Sequence, residues 1–164
     1  MKFTKRLIKG KLIKRYKRFF ADINLNKEII TAHCPNTGSM MGLLNTNNDV
    51  WISKNKNPKR KLKFTLEIIK VKNNLVGVNT HLANKIVYHA LSNNLINELN
   101  YNQNIKPEVF FNKKTRFDFL IEKNNQKNFV EVKNVTLCRN DKISEFPDAI
   151  TSRGSKHLKT LIDA

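Results

Sequence analysis

The chain has 164 residues, of which 40% are hydrophobic, and it carries a formal net charge of +18. This length and composition allow one ordinary hydrophobic core or two small ones, and they exclude a disordered chain. No apolar run approaches the roughly 18 residues of a membrane-spanning helix, and the basic start lacks the uninterrupted apolar segment of a signal peptide. The cysteines Cys34 and Cys138 are too few for a disulfide framework and indicate a reducing compartment, so we expect a cytoplasmic protein without a membrane partner.

Positive charge is the strongest compositional feature, with a pI near 10.1. A fold does not need this excess, whereas a polyanionic partner would explain it, so nucleic acid is the first partner to consider. AT-rich coding DNA that favours lysine on solvated faces is the alternative explanation. Position favours nucleic acid, because two clusters contain no acidic residue. The first cluster is Lys5, Arg6, Lys9, Lys11, Lys14, Arg15, Lys17 and Arg18, and the second, around Pro58, is Lys54, Lys56, Lys59, Arg60, Lys61 and Lys63.

The first part of the chain reads as short strands separated by turn signals. Five strands with short connections in about 80 residues predict a small barrel, and the five-stranded OB-fold is the natural candidate. The sequence therefore predicts a nucleic-acid-binding domain over residues 1–80. The predicted strands cover residues 7–25, 28–34, 50–53, 62–71 and 75–78.

Such barrels often bind single strands, using basic side chains for phosphates and aromatic rings on which bases stack. Residues 14–20 interleave these two types of side chain. We expect Tyr16 to offer a stacking surface, and Phe19 and Trp51 to lie in the barrel interior. The predicted nucleic-acid contacts of this domain are Lys14, Arg15, Tyr16, Lys17, Arg18, Lys59, Arg60 and Lys61.

A second domain is predicted over residues 81–164, where the apolar spacing becomes helical. A first helix is predicted over residues 84–99. A second helix, capped by Asp148, follows near the end of the chain. On it, Arg153 and His157 share a face beside Lys156, and these three residues are the predicted nucleic-acid contacts of this domain. A plain surface position is the alternative for His157. The second helix is expected to bury Ile150, Leu158, Leu161 and Ile162.

Between these helices, residues 108–135 predict a meander of strands. Phe117, Phe119 and Ile121 alternate with polar residues, which is the period of a half-buried strand. A two-residue turn at 124–125 would set Asp118 opposite Glu131. The same register sets Arg116 opposite Lys133.

A preceding turn extends the register to a third strand. A three-residue loop at 112–114 would close Phe111 against Thr115 and set Glu108 opposite Asp118. Three carboxylates would then lie in a row, with Lys133 about 6.6 Å beyond Glu131.

Like charges side by side are destabilising, so a cation should neutralise the row. Mg²⁺ takes one or two protein carboxylates as ligands and keeps several waters. This row could supply those carboxylates. A solvent-facing hairpin whose carboxylates pair with Arg116, Lys133 and nearby lysines is the alternative.

Other chemistry has weaker support. The polar loop 33–40, HCPNTGSM, could meet an anion through its backbone N–H groups, or it could be a plain turn. His33, Cys34, Cys138 and His157 lack the spacing of a zinc site. No GxGxxG, P-loop or GxSxG motif occurs, so no small-molecule cofactor beyond a divalent metal is expected.

Several strings, spread over nearly the whole chain, resemble the sugar fermentation stimulation protein A family. The resemblance implies an α+β protein with an N-terminal OB-fold-like barrel and a C-terminal domain similar to PD-(D/E)xK nucleases, in a family regarded as DNA-binding. The strings are LIKRYKRFFADI, TAHCPNTGSMMGL, NPKRK, VGVNT, TRFDFLIE, EVKNVTL and FPDAITSRGSKHLKTL.

The resemblance also assigns roles in the second domain. Asp118 in RFDF would bind the metal, Glu131 in EVK would be the second metal ligand, and Lys133 would be the catalytic lysine. Glu108 matches an acidic position before that Asp. The RGxKH segment of the family is matched by Arg153, Gly154, Lys156 and His157.

Two departures from the family pattern qualify this interpretation. Asn112 stands where the family tends to have Gly, which is tolerable because Asn also accepts the left-handed conformation. The family continues beyond the position of Ala164, so a shortened chain with an uncovered sheet edge is expected.

These observations predict a DNA-binding protein of the sugar fermentation stimulation type with a Mg²⁺-dependent nuclease-like site. A non-catalytic DNA-binding regulator of sugar (maltose-type) catabolism genes is one alternative. A general RNA-binding protein is another.

Overall fold

The computed structural model describes residues 2–4, 6–99, 104–113, 115–123, 126–140, 143–146 and 152–163, with backbone alone at Lys123, Arg153 and His157. The fold is α+β, and its contacts separate into two compact units. The first unit comprises Met1–His81 and Asn134–Asp148, and the second comprises Leu82–Lys133 and Ala149–Ala164. The first unit draws on residues from both sides of the boundary predicted near residue 80, and that boundary stays a prediction.

The first unit contains a closed barrel. Its strands are β1 (Ile8–Tyr16), β2 (Phe20–Leu25), β3 (Glu28–His33), β4 (Asp49–Lys54), β5 (Phe64–Val71) and β6 (Asn74–Gly77). They are ordered β3-β2-β1-β4-β5-β6, and a parallel pairing of β3 with β5 closes β1–β5 into a barrel. This arrangement confirms the predicted five-stranded, OB-fold-like barrel.

Residues 7–25 differ from the prediction of a single strand. They form β1 and β2, which pair as a hairpin with Lys17, Arg18 and Phe19 in the turn. Lys17 and Arg18 have φ values of 46° and 61°, which asparagine or glycine usually supplies in a tight turn. Because neither asparagine nor glycine stands in this turn, the alternation in the sequence predicted one continuous strand. β6 pairs with β5 alone and lies outside the closed barrel.

Alternate side chains of the strands fill the barrel interior. Trp51 was predicted to lie inside, but it stands between the fully buried Val50 and Ile52 and therefore faces outward, half-buried, with the Nζ of Lys9 5.6 Å from its ring centroid. Phe19 is also not an interior residue, because it lies in the hairpin turn and is 46% exposed. The interior includes Leu12, Ala21, Ile23, Ala32, Val50, Ile52, Leu66 and Ile69.

The second unit combines helices with an antiparallel sheet. Its elements are α1 (Ala83–Ser92), β7 (Asn104–Asn112), β8 (Thr115–Lys123), β9 (Gln126–Val130) and α2 (Ser152–Ile162). The sheet has the order β7-β8-β9. Leu91 of α1 packs with Phe119 and Ile121 of β8, and the ring of Tyr88 stacks on that of Phe119 with centroids 6.1 Å apart. This packing fixes the central strand β8, which carries Asp118.

The helices are shorter or more exposed than predicted. The first predicted helix stops at Ser92, because Asn94 adopts a φ of 53° and the chain then forms only a 3-10 turn at Asn97–Leu99. α2 is present, but Leu158 and Ile162 are 63% and 84% exposed, so the prediction that it buries them is wrong. Asp148 and Ile150 lie outside the described residues. A further antiparallel pair, β10 (Leu137–Asn140) with β11 (Ile143–Glu145), belongs to the first unit.

Candidate functional site

The register of β8 and β9 matches the one predicted from the sequence. Observed pairs run from Lys123 opposite Gln126 to Phe119 opposite Val130, while the turn at 124–125 lies outside the described residues. β9 ends at Val130, so the same register, extended by one residue, sets Glu131 opposite Asp118. The hairpin thus brings the segment from Glu131 to Lys133 alongside Asp118.

The register of β7 and β8 agrees with the prediction except at the turn. Pairs on either side of Glu108 have the predicted register, but it shifts by one residue near the turn, and Asn112 rather than Phe111 pairs with Thr115. The physical reason is the Asn112 side chain, whose Oδ1 accepts a hydrogen bond of 2.9 Å from the Thr115 N–H. Glu108 itself has a φ of 56°, a left-handed conformation that is unusual within a strand.

Asp118 is held by two hydrogen bonds inside the second unit. Its Oδ1 accepts a hydrogen bond of 2.7 Å from the Asn84 side-chain amide, and its Oδ2 accepts one of 2.7 Å from the Val132 N–H. The second bond ties Asp118 to the residue between Glu131 and Lys133. Sequence analysis did not identify Asn84, because a residue 34 positions away offers no local signal of this contact.

The other two predicted carboxylates pair with basic side chains. Glu108 forms an ion pair of 2.8 Å with Arg116, and its side chain is 50% exposed. Glu131 is mostly buried, and its Oε1 lies 2.6 Å from the Nζ of Lys133. Among the described residues, no group of three or more His, Cys, Asp or Glu side chains could hold a metal. The predicted row of three carboxylates is therefore not formed, because Glu108 turns to Arg116.

The remaining donor set has the chemistry that a hard cation needs. Asp118 and Glu131 offer carboxylate oxygens, which Mg²⁺ prefers. From the described residues, each Asp118 oxygen accepts one hydrogen bond, and since it has two lone pairs it can also bind a ligand. Asp118 and Glu131 therefore fit the predicted metal, whereas Glu108 pairs with Arg116 and its role at the site stays a prediction.

An exposed aromatic ring lies on the same sheet. Phe110 on β7 pairs with Arg116 on β8 and is 68% exposed. The Arg116 guanidinium lies 5.8 Å from the centroid of the Phe110 ring and also contacts Glu108. This end of β7–β8 therefore presents an aromatic face and a guanidinium to solvent.

In the first unit, the β1–β2 hairpin carries most of the predicted basic contacts. Lys17 and Arg18 are exposed in its turn, and the Nζ of Lys14 lies 5.4 Å from the centroid of the Tyr16 ring. The Tyr16 and Phe20 rings stack at 5.4 Å with an interplanar angle of 18°. The hairpin therefore joins cations to an aromatic pair, as predicted for this stretch.

Arg15 differs from its neighbours on the hairpin. Its Nη2 donates hydrogen bonds of 2.8 Å and 2.9 Å to the carbonyl oxygens of Asn36 and Gly38. A third bond of 3.0 Å reaches the carbonyl of Arg18. Arg15 thus anchors the polar loop that follows β3, and its guanidinium is committed to backbone acceptors.

The second basic cluster lies in the loop between β4 and β5. The Asn55 and Asn57 side chains accept hydrogen bonds from the N–H groups of Asn57 and Lys59, at 2.9 Å and 3.0 Å, and these Asx turns shape the loop. Lys59 and Lys61 are exposed and Arg60 is half-buried. On α2, Lys156 is exposed, whereas the side chains of Arg153 and His157 lie outside the description.

Within the part of the chain that the structure describes, no helix is both long and apolar enough to cross a membrane.

Comparison with known proteins identifies two adjacent family matches. Residues 13–78 match the SfsA N-terminal OB domain, and residues 81–164 match the sugar fermentation stimulation protein RE domain. Two curated relatives, both described as a sugar fermentation stimulation protein homolog, are similar over the whole chain. The one from Pelagibacter ubique is 73% identical, covering 100% of this chain and 71% of the relative. The one from Maricaulis maris is 46% identical, covering 98% of this chain and 69% of the relative.

A solved structure has a similar fold. The structure of Pyrococcus furiosus SfsA in complex with Ca²⁺ matches with a TM-score of 0.83 at 23% sequence identity. The match covers 99% of this chain and 68% of that one. At this identity the comparison supports the fold.

Proposed function

This chain belongs to the sugar fermentation stimulation protein family, and we propose that it binds DNA and carries a Mg²⁺-dependent phosphodiesterase site on the β7-β8-β9 sheet. The observation that carries this proposal is the hydrogen bond from the Val132 N–H to Asp118, which joins the Asp of β8 to the Glu131–Lys133 segment. An Asp on one strand beside a Glu and a Lys two residues apart is the arrangement of PD-(D/E)xK nucleases.

Asp118 and Glu131 would hold the metal. When bound, Mg²⁺ would supply positive charge that stabilises the charge developing on a phosphodiester under attack. The P. furiosus protein similar in fold was solved with Ca²⁺, which is also a hard cation that takes oxygen ligands. A Ca²⁺ complex of a protein with this fold supports the proposal of a cation site, for which Asp118 and Glu131 are the candidates in this chain.

The protein side chains would perform the remaining steps. Asn84 holds the Asp118 carboxylate in one orientation through its hydrogen bond to Oδ1. Lys133, whose Nζ lies beside the Glu131 carboxylate, would orient the attacking water by donating a hydrogen bond to its oxygen. Glu108 forms an ion pair with Arg116, and its expected assisting role stays a prediction.

Charge and barrel architecture support the DNA-binding part. A net charge of +18 favours a polyanion, and the β1–β2 hairpin combines exposed cations with the stacked Tyr16 and Phe20 rings. On α2, Lys156 adds an exposed cation in the second unit.

Cleavage of supercoiled plasmid DNA tests the catalytic part. We expect the wild-type protein to nick the plasmid with Mg²⁺ and to lose this activity in EDTA and in Asp118→Asn, which removes the charge but keeps the shape of the side chain. Loss of a metal ligand should slow nicking by on the order of a hundredfold or more. Glu98→Gln is the matched control, because it removes an exposed carboxylate from the same unit. Equal nicking by Asp118→Asn and wild type would refute the assignment.

A non-catalytic DNA-binding regulator of sugar catabolism genes is the second candidate. The observation that favours it is that Asp118 is already used by Asn84 and Val132, so the carboxylate also has a structural role. A gel shift of the same plasmid without nicking by any variant would select this function.

A general RNA-binding protein is the third candidate, supported by charge and barrel alone. Competition among duplex DNA, single-stranded DNA and RNA at matched salt would distinguish it. Preference for RNA over both DNA forms would reject the DNA proposal.

A further inference from the structure

His33 occupies a distinctive place on the barrel surface. It is the last residue of β3, and it lies opposite Phe20 on β2 and Thr65 on β5, at the pairing that closes the barrel. Its neighbour Ala32 is fully buried in the interior, so alternation along the strand directs His33 outward. The aromatic pair of Tyr16 and Phe20 therefore continues directly into His33.

Two other segments bring basic groups to this point. The His81 ring lies with its centroid 6.5 Å from that of His33. Arg60, from the loop between β4 and β5, is close enough to act electrostatically on His33. The Thr80 hydroxyl donates a hydrogen bond of 3.1 Å to the Pro35 carbonyl and so ties the segment before His81 to the loop after β3. Residues of the strings HCPNTGSM and VGVNT thus come together near Arg60.

This cluster lacks a balancing anion among the residues that the structure describes. The buried carboxylate of Glu67 lies on β5, two residues after the Thr65 that pairs with His33. Ser53 and Asn79 donate hydrogen bonds of 2.6 Å and 2.7 Å to its two oxygens. Within the described part of the chain, the Nδ1 of His33 is buried without a hydrogen-bond partner. Burial, followed by the nearby Arg60 and His81, lowers the pKa of His33. A negatively charged acceptor would hydrogen-bond the Nδ1 of His33 and offset the positive charge around it.

We propose that His33, Arg60 and His81 form a phosphate-binding site on the barrel, which takes a backbone phosphate of the nucleic acid whose base stacks on Tyr16 and Phe20. This inference rests on the proposed nucleic-acid binding and extends it to three residues of the first unit, of which His33 and His81 were not predicted contacts. A guanidinium suits phosphate oxygens because it offers several donors in a plane, and protonated imidazoles add charge-assisted hydrogen bonds.

The site has a pH dependence whose sign follows from linkage. A bound phosphate stabilises the protonated imidazoles, so binding takes up protons and raises the pKa of His33. Affinity should therefore increase as the pH falls from about 8 to about 5.5, by about tenfold for each unit of pKa rise. The charged or titratable groups that face His33 are Arg60 and His81, while Phe20 and Thr65 carry no charge.

The test measures affinity for a labelled single-stranded oligonucleotide of about 20 nucleotides by fluorescence anisotropy at about pH 5.5 and about pH 8, at constant ionic strength. Wild type should bind on the order of tenfold more tightly at the lower pH. His33→Gln and His81→Gln should lose this increase, and Arg60→Gln should bind more weakly at both pH values. His89→Gln is the matched control, since His89 is an exposed histidine of α1. An equal pH effect in His33→Gln, His81→Gln and wild type would overturn the proposal.

A second measurement does not depend on the variants folding. The pKa values of His33 and His81 are followed by NMR in the wild-type protein, alone, with the oligonucleotide, and with inorganic phosphate. A rise with the oligonucleotide supports the backbone-phosphate source, whereas a rise with inorganic phosphate alone supports the same site for a free phosphate. Unchanged pKa values with both would reject the site. Absence of binding to both the oligonucleotide and duplex DNA at both pH values would instead reject the proposed function on which it rests.

Discussion

Asp118 combines a structural role with its proposed role as a metal ligand. Its hydrogen bonds to Asn84 and to the Val132 N–H join α1, β8 and the segment after β9. The same bonds fix the carboxylate before any ligand arrives, and a fixed ligand costs less to organise when a cation binds. A carboxylate that stabilises its own fold is in this way suited to be the first ligand of a metal.

Gly10 illustrates how tightly the barrel is closed. A Cβ added at this position would lie 2.6 Å from the Ile23 Cγ2 and 3.0 Å from the Asn24 carbonyl oxygen. We expect Gly10→Ala to lower the free energy of unfolding by about 1–3 kcal/mol, because either β1 or β2 must shift. Urea denaturation followed by circular dichroism measures the change.

Gly77→Ala is the control for Gly10→Ala. A Cβ at Gly77 would meet no atom within 4 Å, and Gly77 also lies on a strand. This variant should be neutral or slightly stabilised. Equal destabilisation of the two variants would show that close packing at Gly10 is not the cause.

At the scale of elements, two hairpins differ in how clearly the sequence marks their turns. The β8–β9 register was predicted from a pair of asparagines, and the structure has that register. In the β1–β2 turn the left-handed residues are Lys17 and Arg18, and neither residue type indicates a turn in the sequence. The consequence is that Phe19, predicted to be buried, lies exposed beside the stacked rings of Tyr16 and Phe20.

Phe19→Ala separates a binding role from a packing role. Since Phe19 is 46% exposed, the substitution should change the free energy of unfolding by no more than about 0.5 kcal/mol. If the hairpin stacks bases, affinity for single-stranded DNA should fall by about 1–3 kcal/mol. Anisotropy titrations and urea denaturation of the same samples measure both quantities.

Phe146→Ala is the matched control, because Phe146 is an exposed aromatic residue of the same unit, 50% accessible to solvent. It should retain wild-type affinity. A large loss of stability with unchanged binding in Phe19→Ala would mean that the ring has a packing role after all.

For the whole molecule, charge is the dominant property. The excess of 31 Lys and Arg over 13 Asp and Glu residues cannot be absorbed by internal pairs alone. Some basic residues are internally paired, as Lys9 and Lys11 are with Asp49 at 2.9 Å and 2.7 Å. Lys17, Arg18, Lys59 and Lys61 stay exposed on the first unit and can meet phosphates.

Salt dependence measures this electrostatic contact. The logarithm of the affinity for duplex DNA should fall linearly with the logarithm of the salt concentration, with a slope of about −0.9 for each phosphate contact. Lys59→Gln with Lys61→Gln should make the slope shallower by up to about 1.8. Lys72→Gln, in the turn between β5 and β6, should leave it unchanged. A salt-independent affinity of the wild-type protein would contradict both DNA-binding functions.

The sequence by itself determined the barrel, the strand register around Asp118 and the basic character of the surface. These properties depend on local periodicity, turn residues and composition, which are written in neighbouring letters. The position of Glu131 opposite Asp118 was predicted from the length assumed for the turn between β8 and β9.

Only the tertiary structure decided how the charged and aromatic side chains are used. It paired Glu108 with Arg116, brought Asn84 to Asp118 and bonded Arg15 to loop carbonyls. It also placed His33 within electrostatic range of Arg60 and His81. These contacts span tens of residues, and a side chain's final partner depends on competing donors and acceptors that meet only after folding. For that reason the sequence could nominate carboxylates and cations, whereas the fold selected which of them act together.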